Sequence, residues 1–244
     1  MLRDYQIEMK TRLMEAWKAH RSVMVQMPTG TGKTHLLASV VSEFVSSAGS
    51  GVWLIAHRRE LVAQMEETLA KYGIRREDTP VRVMSVQWLS RHWNEAGDAP
   101  GLIVIDEAHH ALAASYTEMW KRYPAAKKLG VTATPCRLNR RGFTELFEVL
   151  VTSWSIAEFI EKGVLSVFDY VSIRPGSEEQ RLIDGLEKRG ADGDYQVKEM
   201  DAVLNRRPGI ERLYRSVRQF ASGKKGMVYA ISICLLYTSD AADE

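Results

Sequence analysis

Between a short apolar run at residues 23–25 and a helical stretch at residues 34–46 lies the segment Met27 to Thr34, which reads MPTGTGKT. A strand, a glycine-bearing loop and a helix in immediate succession form a unit that few folds accommodate. Gly30 and Gly32 let the backbone curl so that successive N–H groups point inward. The helix that follows turns its positive end to the same place. Together these features favour an anion. The side chains specify it further: Lys33 reaches the β- and γ-phosphates of a nucleoside triphosphate, and the Thr34 hydroxyl ligates Mg²⁺. Thr29, Gly30, Thr31, Gly32, Lys33 and Thr34 are therefore the expected contacts to ATP, with Mg²⁺ beside them. One departure stands out, because Met27 occupies the place where such loops usually open on glycine.

The alternation continues along the chain. Apolar runs at residues 23–25, 52–56, 81–84, 102–105 and 129–131 are interleaved with helical stretches at residues 34–46, 59–72 and 116–123. This pattern predicts an α/β fold with a central, mainly parallel sheet flanked by helices. Ligands of such sheets sit at the carboxyl ends of the strands, so chemistry is expected just after each run. Further along, the sequence predicts a short helix at 156–162 stopped by Gly163, a strand at 165–173 and a polar helix at 177–189. A loop at 192–194, a helix at 212–220 and an apolar strand at 226–231 complete the reading.

Asp106-Glu107-Ala108-His109 follows the run at 102–105, whose lack of alternation places it inside the sheet. Asp106 is a candidate to hold Mg²⁺, and Glu107 to orient and deprotonate an attacking water. A lone Asp-Glu pair after a strand more often caps a helix. Joined to the phosphate loop upstream, the catalytic reading prevails. Thr132-Ala133-Thr134-Pro135 follows the next run. Alone it is a polar turn stiffened by proline, but in third place it reads as a hydroxyl-rich switch between the nucleotide site and movement.

GKT, DEAH and TATP in this order resemble the DEAD/DEAH-box helicases and translocases of superfamily 2. More narrowly, they resemble the branch that holds type III restriction enzyme motor subunits and related repair helicases. The resemblance runs from Leu2 to about Ile231. It implies a RecA-like P-loop NTPase domain over residues 1–152, a connecting segment over 153–205, and an incomplete second RecA-like domain from 206 to 233. It also implies catalysis by Lys33, Asp106 and Glu107, and coupling through His109, Thr132 and Thr134. The opening LRDYQ matches the family's first motif, which implies that Gln6 hydrogen-bonds the adenine edge with Arg3 or Tyr5 nearby. The block AHRREL at residues 56–61 and the triplet Ser85-Val86-Gln87 match segments that touch the nucleic-acid backbone. Phosphate contacts from Arg58, Arg59, Ser85 and Gln87 follow from that match. Arg137 fits the pattern without an assigned role.

The implied activity is ATP-driven translocation along, or unwinding of, nucleic acid, DNA rather than RNA. Two alternatives remain: a nucleotide-dependent binding module that does not unwind, and the motor subunit of a restriction system. Glu107 argues against the first, since a pure sensor has no need of a water-activating carboxylate. The arginines that reach the γ-phosphate from a second domain do not occur in these residues. In related P-loop systems such arginines are worth about 10³–10⁵-fold in rate, so this stretch alone is expected to bind ATP weakly and hydrolyse it slowly.

Composition excludes more than it identifies. Hydrophobic residues at 45% and charged residues at 26% suit an ordinary globular protein. The net charge of +2 neither demands nor forbids a polyanion. No run approaches the length of a membrane span, and the N-terminus lacks an apolar signal core, which points to the cytoplasm. Cys136 and Cys234 lie in no metal-ligand spacing and fit a reducing compartment. Trp53, Trp88, Trp93, Trp120 and Trp154 are read as core or packing residues, because no aromatic series with basic interleaving appears. The closing peptide CLLYTSDAADE, residues 234–244, resembles the translation of a transposase-type sequencing adapter, so a native segment cut at Ile233 is expected.

Overall fold

The computed structural model describes residues 2–57, 59–110, 114–135, 144, 146–170, 177–188, 195–204, 206–223 and 225. The chain divides into two compact units, residues 1–167 and 168–244.

In the first unit the order is α1 (Asp4–Ala19), β1 (Ser22–Gln26), α2 (Lys33–Ala48), β2 (Val52–Ala56), α3 (Glu60–Ala70), β3 (Val81–Ser85) and α4 (Val86–Leu89). Then come β4 (Leu102–Asp106), α5 (Ala114–Arg122), β5 (Lys127–Thr132), β6 (Val149–Thr152) and α6 (Ile156–Glu161). The strands form one sheet in the order β3-β2-β4-β5-β1-β6, and every ladder is parallel. The expected mainly parallel, helix-flanked sheet is thus present.

Two apolar layers sandwich this sheet. On one face Val23, Val25, Leu102 and Val104 pack with Met9, Leu13, Leu36 and Leu37 from α1 and α2. On the other, Met24, Ile103 and Ile105 pack with Tyr116 and Met119 of α5. Alternate residues of β1 and β4 therefore feed opposite layers, which is why those strands read as unbroken apolar runs. The register sets Gln26 beside Thr132 and Asp106 beside Val131, so β1, β5 and β4 end side by side.

Two differences from the sequence reading occur in this unit. Val149–Thr152 forms β6, an edge strand that the apolar runs did not announce. The strand expected at 165–173 is absent over 165–170, while 171–173 lie outside the described residues. Leu165 packs against the core instead, and Val167, Phe168 and Tyr170 are 80%, 64% and 84% exposed, with no partner strand among the described residues. The expected stop of α6 is found: Gly163 takes φ 67°, and Ser155 and Glu158 form a capping box at its start.

The second unit contains α7 (Ser177–Asp184), α8 (Val197–Leu204) and α9 (Arg207–Ala221). The polar helix expected to reach 189 ends at Asp184, and α9 is longer than the expected 212–220. The backbone N–H of Lys188 donates to Glu199 Oε2 at 2.9 Å, tying the segment after α7 to α8. The loop at 192–194, the apolar strand at 226–231 and the closing peptide at 234–244 lie outside the described residues.

Candidate nucleotide and nucleic-acid site

The loop after β1 is held open by its own backbone and by α1. Gly30 and Gly32 adopt φ 84° and 81°, left-handed values that favour glycine. The buried Thr31 turns inward, donating from its hydroxyl to Pro28 O at 2.7 Å. Met27 is fully buried in the core, and its N–H donates to Thr132 O at 3.0 Å. The residue that departs from the usual glycine thus serves packing and ties the phosphate loop to the TATP segment. Gly32 starts α2 with no side-chain cap, so the first N–H groups of that helix face the loop without a side-chain acceptor. Thr29 and Thr34 are exposed, and Lys33 is half-buried at the first position of α2.

Gln6 is buried and fully engaged with this loop. Its Nε2 donates to Thr31 O at 3.0 Å and Gly32 O at 3.2 Å, while its Oε1 accepts from Arg3 N at 2.9 Å. The Tyr5 hydroxyl donates to Thr31 O as well, at 2.9 Å. The sequence placed these residues near a nucleotide; that they brace the phosphate loop itself had no local signal, because the contact spans 25 or 26 residues.

At the end of β4, Asp106 Oδ1 accepts from Glu107 N at 3.0 Å. Burial, then the neighbouring Glu107 charge, push the Asp106 carboxyl above the ordinary aspartate range, against the opposing pull of the Glu107 N–H, Lys33 and His109. Glu107 adopts φ 50°, the left-handed region where a side chain is strained. His109 Nδ1 lies 3.3 Å from Glu107 Oε2 and 2.9 Å from Thr132 Oγ1. The Thr132 hydroxyl in turn donates to Thr134 O and accepts from Thr134 N, both at 3.1 Å. Glu107, His109, Thr132 and Thr134 thus form one chain of polar contacts.

Of the expected nucleic-acid contacts, Arg58 lies outside the described residues and Arg59 is exposed where α3 begins. Ser85 is buried and caps α4 by accepting from Trp88 N at 3.2 Å. Gln87 is exposed, and its Nε2 donates to His57 O at 2.6 Å. That bond joins the two expected backbone-contacting segments. Arg137 also lies outside the described residues. Among the tryptophans, Trp53 is buried core and Trp93, Trp120 and Trp154 pack against core clusters. Trp88 differs: it is 38% exposed.

The residues present fit a magnesium-bound triphosphate. Uncapped N–H groups at α2, two left-handed glycines and Lys33 suit phosphate oxygens. A carboxylate whose ionisation is opposed by burial and by a second carboxylate gains from a cation beside it. Among the described residues no cluster of three or more His, Cys, Asp or Glu could hold a metal alone. No helix among the described residues is long and apolar enough to cross a membrane.

Comparisons with known proteins bear on the family and the fold. The chain is 28% identical over 205 residues to the DNA 3'-5' translocase XPB2 of Sulfurisphaera tokodaii, covering 77% of this chain and 44% of the relative. It is 26% identical over 261 residues to the putative ATP-dependent helicase IRC3 of Saccharomyces cerevisiae, covering 95% and 37% respectively. The chain thus spans less than half the length of these curated relatives. The UvsW helicase of bacteriophage T4 shares the fold, with a TM-score of 0.52 at 17% identity over 62% of this chain and 59% of that one. The model of one family matches residues 1–137, more than half of the chain and the whole stretch from the Gln6 brace to the Thr132 hydroxyl, so the chain belongs to the family of the type III restriction enzyme res subunit, within the superfamily 2 helicases.

Proposed function

We propose that the chain is the ATP-binding part of an ATP-driven motor that translocates along, or unwinds, nucleic acid, DNA rather than RNA. The observation that carries this reading is the polar chain from Glu107 through His109 to Thr132 and Thr134. It connects the carboxylate placed to activate water to the end of another strand, which a simple nucleotide sensor does not require. The relative named a DNA 3'-5' translocase favours DNA. The family's name is compatible with a restriction motor subunit, and a cytoplasmic location follows from the same reading.

Each residue has a task within it. Lys33 and the N–H groups of α2 hold the phosphates, and the Thr34 hydroxyl with Asp106 would hold Mg²⁺. When bound, that ion neutralises phosphate charge as the terminal phosphoryl group transfers. Glu107 orients and takes a proton from the attacking water. His109, 3.3 Å from the same carboxylate and hydrogen-bonded to Thr132, links a change of charge there to Thr132. Gln6 braces the loop, and the adenine contact implied for it would require its amide to give up one of its bonds to Thr31, Gly32 or Arg3. Arg59, Ser85 and Gln87 would serve the nucleic acid, together with Arg58, which lies outside the described residues. A second RecA-like domain, expected to begin near residue 206 after a connecting segment, would complete the ATP site.

The test is Glu107→Gln in the intact protein. Nucleic-acid-stimulated ATP hydrolysis should be lost while ATP binding is retained. Turnover unchanged by this substitution removes the motor reading and leaves a nucleotide-dependent binding module.

A further inference from the structure

β3 is an edge strand, and along its outer side runs an open groove of about 1020 Å³ between α3 and the segment that follows α4. Arg59, Arg76, Arg82 and Arg91 line it, against the carboxylates of Glu66 and Glu95. All four arginines are exposed, and among the described residues none forms an ion pair. Arg82 is the most anchored, with Nη1 donating to Glu95 O at 3.3 Å. The groove therefore carries an excess of uncompensated positive charge that favours a polyanion.

Its second feature is aromatic. The Trp88 indole stacks on the His92 imidazole at 4.8 Å with an interplanar angle of 13°. His92 Nδ1 lies 2.8 Å from Trp88 O, a carbonyl that accepts, so the imidazole is fixed against the indole one helical turn away. The imidazole covers one face of the indole, and Trp88, 38% exposed as a residue, lines the groove. The Gln87 bond to His57 O makes this groove continuous with the segment that carries Arg59.

We propose that this groove seats a single strand of nucleic acid, with Trp88 stacking on one unpaired base and Arg76 and Arg91 contacting the phosphates on either side. The proposal rests on the nucleic-acid reading above and adds to it a residue that distinguishes single strand from duplex. A base held in a duplex is already stacked and cannot cover the indole, whereas an unpaired base can.

The experiment measures binding of the 244-residue chain to a fluorescent oligothymidylate and to an abasic oligomer of equal length and charge, over a series of salt concentrations. The unsubstituted chain should prefer the oligothymidylate. Trp88→Ala should weaken that binding by roughly tenfold, the size of one base–aromatic stack, and leave abasic binding unchanged. Trp88→Phe, which keeps a ring, should recover most of the loss. Arg91→Gln should weaken both ligands alike and make the slope of log K against log salt shallower by about 0.7, one phosphate contact on a single strand. Equal affinity for the two oligomers, or Trp88→Ala binding like the parent, overturns the stacking role while the nucleic-acid reading stands. Failure of the unsubstituted chain to bind either oligomer overturns both.

Discussion

His109 Nδ1 lies 2.9 Å from the hydroxyl of Thr132, joining the turn after β4 to the end of β5. These strands are neighbours in the sheet, so the bond adds a side-chain link at the edge where their ladder ends. Thr132→Val keeps the shape and removes the hydroxyl that His109 and Thr134 share. In the intact protein ATP affinity should change little, while nucleic-acid-stimulated turnover falls about tenfold, the worth of a hydrogen bond of some 1.4 kcal/mol. Thr132→Ser, which restores the hydroxyl, should return it. A parallel loss of ATP affinity in Thr132→Val would instead assign the residue to nucleotide binding.

Gly32→Ala should damage the phosphate loop in two separable ways. The position has φ 81°, and an added Cβ would stand 2.4 Å from Gln6 Nε2. The left-handed backbone alone costs about 1–2 kcal/mol for an L-residue. For a unit of this size, that is roughly 2–8 °C in Tm. Adding Gln6→Ala removes the clash and leaves the backbone strain, so the double variant should melt above the value expected from summing the single losses. Simple additivity, read by thermal denaturation, would show that Gln6 does not press on the loop.

How far the fold is legible follows from where each signal resides. β1, β2 and β4 are buried on both faces, so their apolar runs stand out in the sequence. β6 carries only the short run Val149-Leu150-Val151, and at the sheet edge only Val151 of these is buried. The segment from Leu165 alternates like a strand, yet pairing needs a neighbour that no local pattern supplies. Leu165 Cδ2 instead sits where it would be 3.1 Å from a Cβ on Gly30. The site shows the same divide. GKT, DEAH and TATP are local motifs, whereas the Gln6 brace and the Glu107–His109–Thr132 chain depend on separate elements meeting. Trp88 could not be told from a core tryptophan, because α4 spans only Val86–Leu89 and shows no periodic face.

Gly130 lies within β5, where a Cβ would meet Phe147 Cζ at 2.5 Å and Ala108 Cβ at 2.8 Å. Gly130→Ala should therefore destabilise the unit by about 1–3 kcal/mol through overpacking. Phe147→Leu shortens one obstacle and leaves Ala108, so the double variant should recover part of the loss. The expected coupling is on the order of 0.5 kcal/mol or more in denaturant unfolding. No coupling would mean that Ala108, the third residue of the DEAH turn, bears the whole clash, and ATP binding should then fall with stability.

Glu148, just before β6, joins the edge of the sheet to the start of β1. Its carboxylate accepts from Arg21 N at 3.2 Å and Ser22 Oγ at 3.2 Å, and His20 Nδ1 lies at 3.3 Å. Burial opposes its ionisation, but the bonds from Arg21, Ser22 and His20 outweigh that and hold the carboxyl below its ordinary value of 4.5. A depressed folded pKa means that the unfolded chain binds the proton more readily. The stabilisation is therefore complete above the unfolded pKa and disappears as pH falls through the lower folded one. The side chain is half-exposed, and solvent screening limits the contribution to about 0.5 kcal/mol. Glu148→Gln should lower Tm at pH 7 by roughly 1–2 °C. Near pH 3, where the parent has lost most of this contribution, the two melting curves should converge. A Tm difference that is the same at both pH values would show that the loss comes from packing and not from charge.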